Sequence, residues 1–244
     1  MITMRYAIFS DIHGNLQAMD AVLDAVKQEK ADRCFFVVDV VGYGANPHEC
    51  IDMLRGLDAV SIAGNHDWAV AGKVDLAYFN DLARDAIIWT QKYALREDME
   101  FLNRLKLLYK NEDMILAHGT LHEPEAFHYL MNRFQAAESF RVMDRTVCFV
   151  GHSHTPGVFI QKEEKIQYFS HIDFHMEEKG KYLVNVGSVG QPRDHDPRAA
   201  YCIFDADTKK IILKRVPYDI AQAQKRILQA GLPPFLAGRL AAGQ

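Results

Sequence analysis

The sequence has 244 residues, of which 49% are hydrophobic and 25% are charged, and its formal net charge is −4. This composition is typical of a globular protein with a substantial core, and it excludes a disordered or fibrous chain. The small negative charge, with no block of lysine or arginine residues, does not suit a stable nucleic-acid complex. We therefore expect a small molecule as the partner.

Targeting features and cysteine usage both favour a cytoplasmic protein. The chain has no run of about 18 apolar residues and no basic N-terminal region followed by an apolar segment, so no membrane contact is expected. The cysteines are far apart and form no Cys-x-x-Cys pair, which favours reduced thiols over disulfides. They are Cys34, Cys50, Cys148 and Cys202.

The first predicted strand, residues 7–10, ends in Asp11, Ile12 and His13. Side chains two residues apart in an extended segment point to the same side, so Asp11 and His13 can reach one object together, such as a metal ion. Alone, such a pair is more typical of a turn with a capping acid and a surface histidine. Asn15 can then cap a helix whose apolar residues recur at spacings of three and four.

Two further predicted strands also end in polar residues. Asp39 closes the strand over residues 34–38, and Gly64-Asn65-His66-Asp67 closes the strand over residues 59–63. The alternation of strands and helices predicts parallel strands with right-handed crossovers, and ligands in such sheets bind at the carboxyl ends of the strands. We expect these polar residues to meet in one cleft.

A helical insert is predicted next, over about residues 68–112. It is either a packing layer over the sheet or a lid that shapes a substrate pocket. The strand over residues 114–117 then ends in His118, and the strand over residues 147–150 runs into Gly151-His152-Ser153-His154. Five strand ends therefore carry metal-ligand residue types.

The last third of the sequence is predicted to form antiparallel strands and hairpins, over residues 157–169, 181–186 and 199–216. A helix over residues 219–230 and a loosely structured tail at Pro233-Pro234 complete a C-terminal segment of about residues 218–244. No shift in composition divides the chain, so we predict a single domain over residues 1–244.

The polar residues at the five strand ends have the chemistry of a metal centre. They are Asp11, His13, Asp39, Asn65, His66, Asp67, His118, His152 and His154. Imidazole, carboxylate and amide oxygen without thiolate suit two divalent ions of borderline character, namely Mn, Fe or Zn. Only a carboxylate offers two oxygens to neighbouring ions, and Asp39 is the candidate bridge.

The order of these motifs resembles the calcineurin-like metallophosphoesterases, and most closely their small single-domain bacterial and archaeal branch. The resemblance rests on Asp-x-His, an Asp with a downstream Gly, Gly-Asn-His-Asp, the histidine at 118 and Gly-His-x-His. That branch's Gly-Ser-Val-Gly-Gln-Pro-Arg stretch also occurs, at residues 187–193. The resemblance implies an α/β fold of four layers, in which a sandwich of two mixed parallel and antiparallel sheets is flanked by helices.

The resemblance also implies roles for individual residues. One metal would be held by Asp11, His13, Asp39 and His154, and the other by Asp39, Asn65, His118 and His152. His66 would be the general acid and Asp67 the residue that orients it. A metal-bound hydroxide would attack phosphorus, and His66 would protonate the leaving oxygen.

Two positions depart from the family pattern. Val38 stands where a glycine usually precedes the bridging acid, which puts the orientation of Asp39 and the strength of one site in question. His195 stands where a small residue is expected, and it is either a surface residue or a substrate contact. Arg193 and Tyr43 are the other candidate substrate-binding residues, although Arg193 also suits a surface salt bridge.

The sequence thus predicts a metal-dependent hydrolase of phosphoesters, either a phosphodiesterase or a phosphatase. A protein serine/threonine phosphatase and a dinucleotide polyphosphate hydrolase remain alternatives, because the metal centre is common to all of them. A non-catalytic interaction scaffold is a further alternative. We expect such a scaffold to have lost the acid histidine or several ligands, and this sequence keeps them all.

Overall fold

The computed structural model describes residues 4–244, in which helices and strands alternate over the first half and strands dominate the second. The strands are β1 (Arg5–Ser10), β2 (Arg33–Val37), β3 (Ala59–Ile62), β4 (Leu108–Lys110), β5 (Met114–Ala117), β6 (Val147–Val150), β7 (Gly157–Lys162), β8 (Lys165–Phe169), β9 (Asp173–His175), β10 (Gly180–Asn185), β11 (Ala199–Asp205) and β12 (Lys210–Val216). The α-helices are α1 (Leu16–Glu29), α2 (Pro47–Gly56), α3 (Asn65–Val70), α4 (Asp81–Tyr93), α5 (Arg96–Arg104), α6 (Arg133–Val142), α7 (Ile220–Gln229) and α8 (Pro234–Ala242). Short 3-10 helices occur at Leu76–Tyr78 and Pro124–Ala126.

The strands of the described residues form two mixed sheets of six strands each. The first sheet has the order β3-β2-β1-β11-β12-β9 and the second has the order β4-β5-β6-β10-β7-β8. Parallel pairing joins β1 to β2, β2 to β3, β5 to β6 and β6 to β10, and the remaining neighbours are antiparallel. The predicted two-sheet fold of mixed strands is confirmed.

Side chains along β1 alternate between two cores and so define the layers. Ala7 and Phe9 pack against helices on the outer face of the first sheet, whereas Tyr6 and Ile8 point into the core between the sheets. The second sheet carries α6 on its own outer face. The result is the helix, sheet, sheet and helix arrangement that the sequence predicts.

The carboxyl ends of the parallel strands open on one region of the molecule. The Gly151 N–H, just beyond β6, donates to the His118 carbonyl oxygen at the end of β5, at 2.9 Å. The His152 N–H then donates to Asp11 Oδ2 at the end of β1, also at 2.9 Å. These bonds tie the ends of strands from both sheets together.

The helical insert predicted over residues 68–112 is only partly helical. The chain turns at Gly72, whose φ is +76°, and residues 108–110 form β4. This strand pairs with β5, because the edge of β5 offers backbone groups that outweigh the local helical pattern. Leu102 of the insert packs in the core, as expected of a packing layer, and Phe79 lines a cavity.

The second half differs from the sequence expectation in two strands. β10 is antiparallel to β7, as expected, but parallel to β6 on its other side. β9, with three residues at the edge of the first sheet, was not predicted because it is too short to show a pattern.

The tail after Pro233 is helical, and the prediction of a loosely structured tail was wrong. Pro234 occupies the first turn of α8, where a helix tolerates proline because the missing N–H would have no partner. Leu236 and Leu240 are buried and pack in one cluster with α7 and Tyr43. Tertiary packing thus holds a short helix that the sequence pattern alone does not support.

The cysteines at positions 34, 50, 148 and 202 are all free, and all but the first are buried. Among residues 4–244, no helix has the length and apolar character needed to cross a bilayer.

We expect Leu236→Ala to lower the free energy of unfolding by about 2–5 kcal/mol, because it removes a fully buried side chain that anchors α8. Leu228→Ala on α7, where the leucine is 53% exposed, is the matched control and should cost less than about 0.5 kcal/mol. Urea denaturation of both variants measures the difference. Equal costs would show that α8 is not docked as described.

Candidate metal centre

The loops after β1 and β2 hold each other through backbone hydrogen bonds. The N–H groups of Ile12 and His13 both donate to the Asp39 carbonyl oxygen, at 2.9 and 3.0 Å. The loop after β1 therefore lies directly against the loop after β2. Asp11, His13 and Asp39 are brought together by this contact, as the sequence predicts.

Four of the predicted ligand residues have left-handed backbone conformations. Asp11, His13, His152 and His154 have φ values of 53°, 50°, 67° and 59°. Such values are uncommon for residues other than glycine and cost roughly 1–3 kcal/mol each. Strain of this kind, concentrated in one cluster, indicates a functional site.

Each of the two central carboxylates uses one oxygen to bind the backbone and turns the other toward the imidazoles. Asp11 Oδ2 accepts from the His152 N–H, and Asp39 Oδ1 accepts from the His66 N–H at 2.8 Å. Asp11 Oδ1 is buried and has no hydrogen-bond partner. Asp39 Oδ2 lies 3.2 Å from His118 Nε2.

Three buried histidines donate their Nδ1 proton to a backbone carbonyl oxygen. The acceptors are Val41 for His13 at 2.9 Å, Val37 for His118 at 3.1 Å and Gln191 for His154 at 2.6 Å. A carbonyl can only accept, so Nδ1 carries the proton and Nε2 of each neutral ring carries a lone pair. Hydrogen bonds from Nδ1 to a carbonyl oxygen orient histidines that bind metals through Nε2.

The lone pairs of these rings face one another and the carboxylates. His13 Nε2 lies 3.0 Å from His154 Nε2, which is itself 3.3 Å from Asp11 Oδ1. His118 Nε2 is buried without a hydrogen bond of normal geometry. Acceptor atoms at these distances repel one another unless a cation lies among them, so the donor set fits divalent metal ions.

Burial lowers the pKa of each of these rings, and neighbouring charges either reinforce or oppose that effect. Burial, reinforced by the neighbouring imidazoles, holds the pKa of His13 well below its usual value, and burial with the charge of Arg193 lowers the pKa of His154. Burial also opposes the charged form of His118, but the carboxylates of Asp39 and Asp11 outweigh it and raise its pKa to about 9. Without a metal ion, His118 would be protonated, because the neighbouring carboxylates favour a positive charge at this position.

The possible ligands form overlapping groups in this cluster, and one of them consists of His13, Asp39 and His66. Asp11, His13 and His154 offer atoms within 4.8 Å of one another, and so do Asp39, His118 and His152. Asn65 follows β3 and lines the same cavity as His66 and His152, and its buried Oδ1 has no partner. All seven predicted metal ligands therefore lie in one region.

His66 belongs to this cluster, but Asp67 does not orient its ring. Asp67 Oδ1 accepts from the Val40 N–H at 2.8 Å, and Oδ2 accepts from the Gly64 N–H at 3.0 Å. His66 Nδ1 is buried without a partner. The expected contact between Asp67 and His66 is thus absent, and Asp67 instead joins the loops after β2 and β3.

Aromatic rings hold His66 in place. Its ring centroid lies 4.6 Å from that of Tyr43, 4.9 Å from that of His13 and 5.2 Å from that of Phe79. Gly42 lies against the buried edge of the ring, and a Cβ at this position would overlap His66 Nδ1. The turn at Gly42 therefore leaves just enough room for the histidine.

Val38 does not crowd the cluster. Its side chain is fully buried in the apolar core on the helix side of the first sheet. The next residue, Asp39, points into the cluster, as expected for successive residues of an extended segment. Gly64 makes room for this arrangement, because a Cβ there would overlap Asp39 Oδ1 and the Val38 carbonyl oxygen.

Two of the three candidate substrate-binding residues border the cluster. The Arg193 guanidinium lies 5.6 Å from the ring centroid of Tyr43, and the Tyr43 ring lies 4.7 Å from that of His13. His195 is exposed and lines neither of the two large cavities beside the cluster. Its backbone N–H donates to the Gly243 carbonyl oxygen at 2.9 Å, so it serves to hold the C-terminal segment.

Sequence reasoning missed two neighbours of the cluster. The Tyr129 ring stacks on that of His152 at 4.0 Å and 15°, and Arg239 of α8 lines a cavity with Arg193. Neither lies in a motif with metal-ligand residue types.

With this geometry in view, comparisons with known proteins define the class. The sequence profile of the calcineurin-like phosphoesterase superfamily domain matches residues 4–209. The chain belongs to this family of metal-dependent phosphoesterases.

Individual relatives match over the full length of the chain. The uncharacterized protein MJ0912 of Methanocaldococcus jannaschii is 41% identical over 248 residues, covering 100% of both chains. A metallophosphoesterase from Sphaerobacter thermophilus is 37% identical with a TM-score of 0.87, covering 99% of this chain and 100% of that one. The hypothetical protein PH1004 of Pyrococcus horikoshii OT3, at 20% identity, shares the fold with a TM-score of 0.81 over 99% of each chain.

If His66 donates a proton in the reaction, as the family resemblance implies, Gly42→Ala should lower the rate by about 10²-fold, because the new methyl group displaces the His66 ring. The matched control is Gly72→Ala, since Gly72 also has a positive φ but has open space where a Cβ would stand. Both variants bear backbone strain of about 1 kcal/mol. Steady-state kinetics with thermal denaturation of both variants separates the two effects, and equal activities would show that Gly42 does not position the histidine.

Proposed function

We propose that this protein hydrolyses phosphate esters with two divalent cations bound in the described cluster. One cation would be held by Asp11, His13, Asp39 and His154. The other would be held by Asp39, Asn65, His118 and His152, so Asp39 belongs to both proposed ligand sets. The observation that carries the proposal is the set of buried Nε2 lone pairs that face one another and two carboxylates with no protein donor between them.

When bound, Mn, Fe or Zn ions supply Lewis acidity that draws phosphoryl oxygens and lowers the pKa of a water. The protein's own contribution is to fix the ligands before the substrate arrives. The Nδ1 bonds to backbone carbonyls set the ring orientations, and the buried setting excludes bulk water.

His66 is the candidate proton donor to the leaving oxygen. It lines a cavity of about 590 Å³ and lies beside the carboxylate of Asp39. Burial lowers the pKa of His66 to about 4, although the charge of Asp39 opposes this shift. The negative charge of a phosphate ester favours the protonated ring, whereas the charge of cations in the cluster favours the neutral ring.

The shape of the site supports a small ester as the substrate. The 590 Å³ cavity opens directly on Asn65, His66 and His152, and its size is that of pockets for small molecules. A protein serine/threonine phosphatase needs an extended surface for a peptide. We propose a cytoplasmic enzyme that acts on phosphomonoesters, phosphodiesters or dinucleotide polyphosphates.

The test is a screen of the protein with added Mn²⁺ against p-nitrophenyl phosphate, bis(p-nitrophenyl) phosphate, cyclic nucleotides and dinucleotide polyphosphates. We expect turnover of at least one of these substrates and its loss when a chelator is added. Inertness of the metal-loaded protein on every substrate would overturn the proposal and favour a non-catalytic scaffold.

His66→Ala separates the chemistry of this site from a contaminating activity. We expect it to lower kcat by about 10²- to 10⁴-fold while leaving metal content unchanged, because His66 is not a proposed ligand. His171→Ala is the matched control, since His171 is exposed. Equal rates in the two variants would remove His66 from the mechanism.

A further inference from the structure

A second cavity of about 430 Å³ adjoins the cluster and has two arginines in its wall. It shares Tyr43, Asn80 and Tyr129 with the larger cavity, and the rings of Tyr43 and Tyr129 pack against those of His13 and His152. The residues that line it are Tyr43, Asn80, Asp81, Leu82, Tyr129, Arg193, Phe235 and Arg239.

Neither arginine pairs with an aspartate or glutamate side chain among residues 4–244. Arg193 donates through Nε and Nη2 to Gln191 Oε1, a neutral amide, at 3.3 and 2.9 Å. Arg239 donates through Nε to the backbone oxygen of Gln244 and lies over the Phe235 ring. The one acid in the cavity wall, Asp81, pairs with Arg84 at 2.7 Å.

Both guanidinium groups lie in the wall of the same cavity. Burial, followed by the charge of Arg193, lowers the pKa of Arg239 to about 10. Like charges held together in a partly buried wall are costly unless an anion lies between them. The arrangement is therefore suited to binding an anion.

Packing fixes Arg239 at this place. Arg239 lies on α8, where Leu236 and Leu240 are buried in the cluster that also includes Tyr43. Donors on a packed helix can be held more precisely than donors on a free loop. This helix lies beyond residue 209, where the match to the family profile ends.

We propose that Arg193 and Arg239 bind a second phosphate group of the substrate, while the first phosphate is held at the metal cluster. The preferred substrates are then phosphoesters that carry two phosphate groups. This inference rests on the proposed phosphoesterase function for the position of the first phosphate.

Phosphate suits these donors better than a carboxylate does. Each guanidinium presents a planar fork that matches two oxygens, and a terminal phosphate offers three oxygens to two such forks. A carboxylate has only two oxygens and would leave donors of the second arginine without a partner.

The test compares the binding of three small ligands that are not hydrolysed. Methylphosphonate has one phosphonate group, methylenediphosphonate has two, and phosphonoacetate replaces the second with a carboxylate. Calorimetry on the Mn²⁺-loaded protein gives the dissociation constant of each. Ligand binding to free Mn²⁺ is the same for every variant and cancels when variants are compared.

The quantity compared is the dissociation constant of methylenediphosphonate divided by that of methylphosphonate. We expect Arg239→Gln to raise this ratio by roughly tenfold, which corresponds to the loss of one charge-assisted hydrogen bond. Arg193→Gln should act in the same direction. Arg226→Gln, an exposed arginine on the neighbouring α7, is the matched control and should leave the ratio unchanged. If Arg239→Gln destabilises α8, Arg239→Lys can be used instead. This variant keeps the charge but lacks the planar fork, so it should still weaken the binding of methylenediphosphonate relative to methylphosphonate.

If neither Arg239→Gln nor Arg193→Gln weakens methylenediphosphonate binding relative to methylphosphonate binding, the proposed subsite is wrong. If these variants weaken the binding of phosphonoacetate as much as that of methylenediphosphonate, the assignment of the subsite to phosphate is wrong. These measurements do not depend on turnover, so a protein that binds the diphosphonate through Arg239 but hydrolyses no ester would refute the proposed function and leave the subsite standing.

Discussion

The structure depends on three imidazoles whose Nε2 lone pairs have no donor to bind. His13, His118 and His154 each give their Nδ1 proton to a backbone carbonyl, and this fixes the side of the ring that faces inward. The carboxylates of Asp11 and Asp39 turn toward the same space. These carboxylate oxygens and ring nitrogens are buried together, and a cation among them, either a proton on His118 or a metal ion, offsets their mutual repulsion.

The fold supplies the precision that such a site needs. Parallel strands bring five loops to one place, and backbone bonds such as Ile12 N–H to Asp39 O lock these loops together. Left-handed conformations at Asp11 and His154 turn the side chains inward at a cost that the rest of the domain must offset. Gly42 and Gly64 are essential neighbours, because any side chain there would occupy the space of His66 or Asp39.

The sequence was sufficient to predict the site residues that directly follow a predicted strand. Runs of apolar residues located the strands, and the residues after each run identified the cluster, because parallel strands must end at the same edge. Contacts between distant segments were not predictable. Asp67 was assigned to His66 by resemblance, but it binds the backbone of Val40 and Gly64, which only the fold brings near. The helix that carries Arg239 was also missed, since its stability comes from packing against α7 and Tyr43.

The most direct test of the account is a count of the metal ions that the protein retains. The protein is loaded with Mn²⁺, dialysed and analysed by plasma mass spectrometry, alongside Asp39→Asn, in which the proposed bridging group loses its charge. The account predicts two ions per chain for the natural sequence and fewer than two for the variant. Retention of no ions, or of the same number by both proteins, would contradict it.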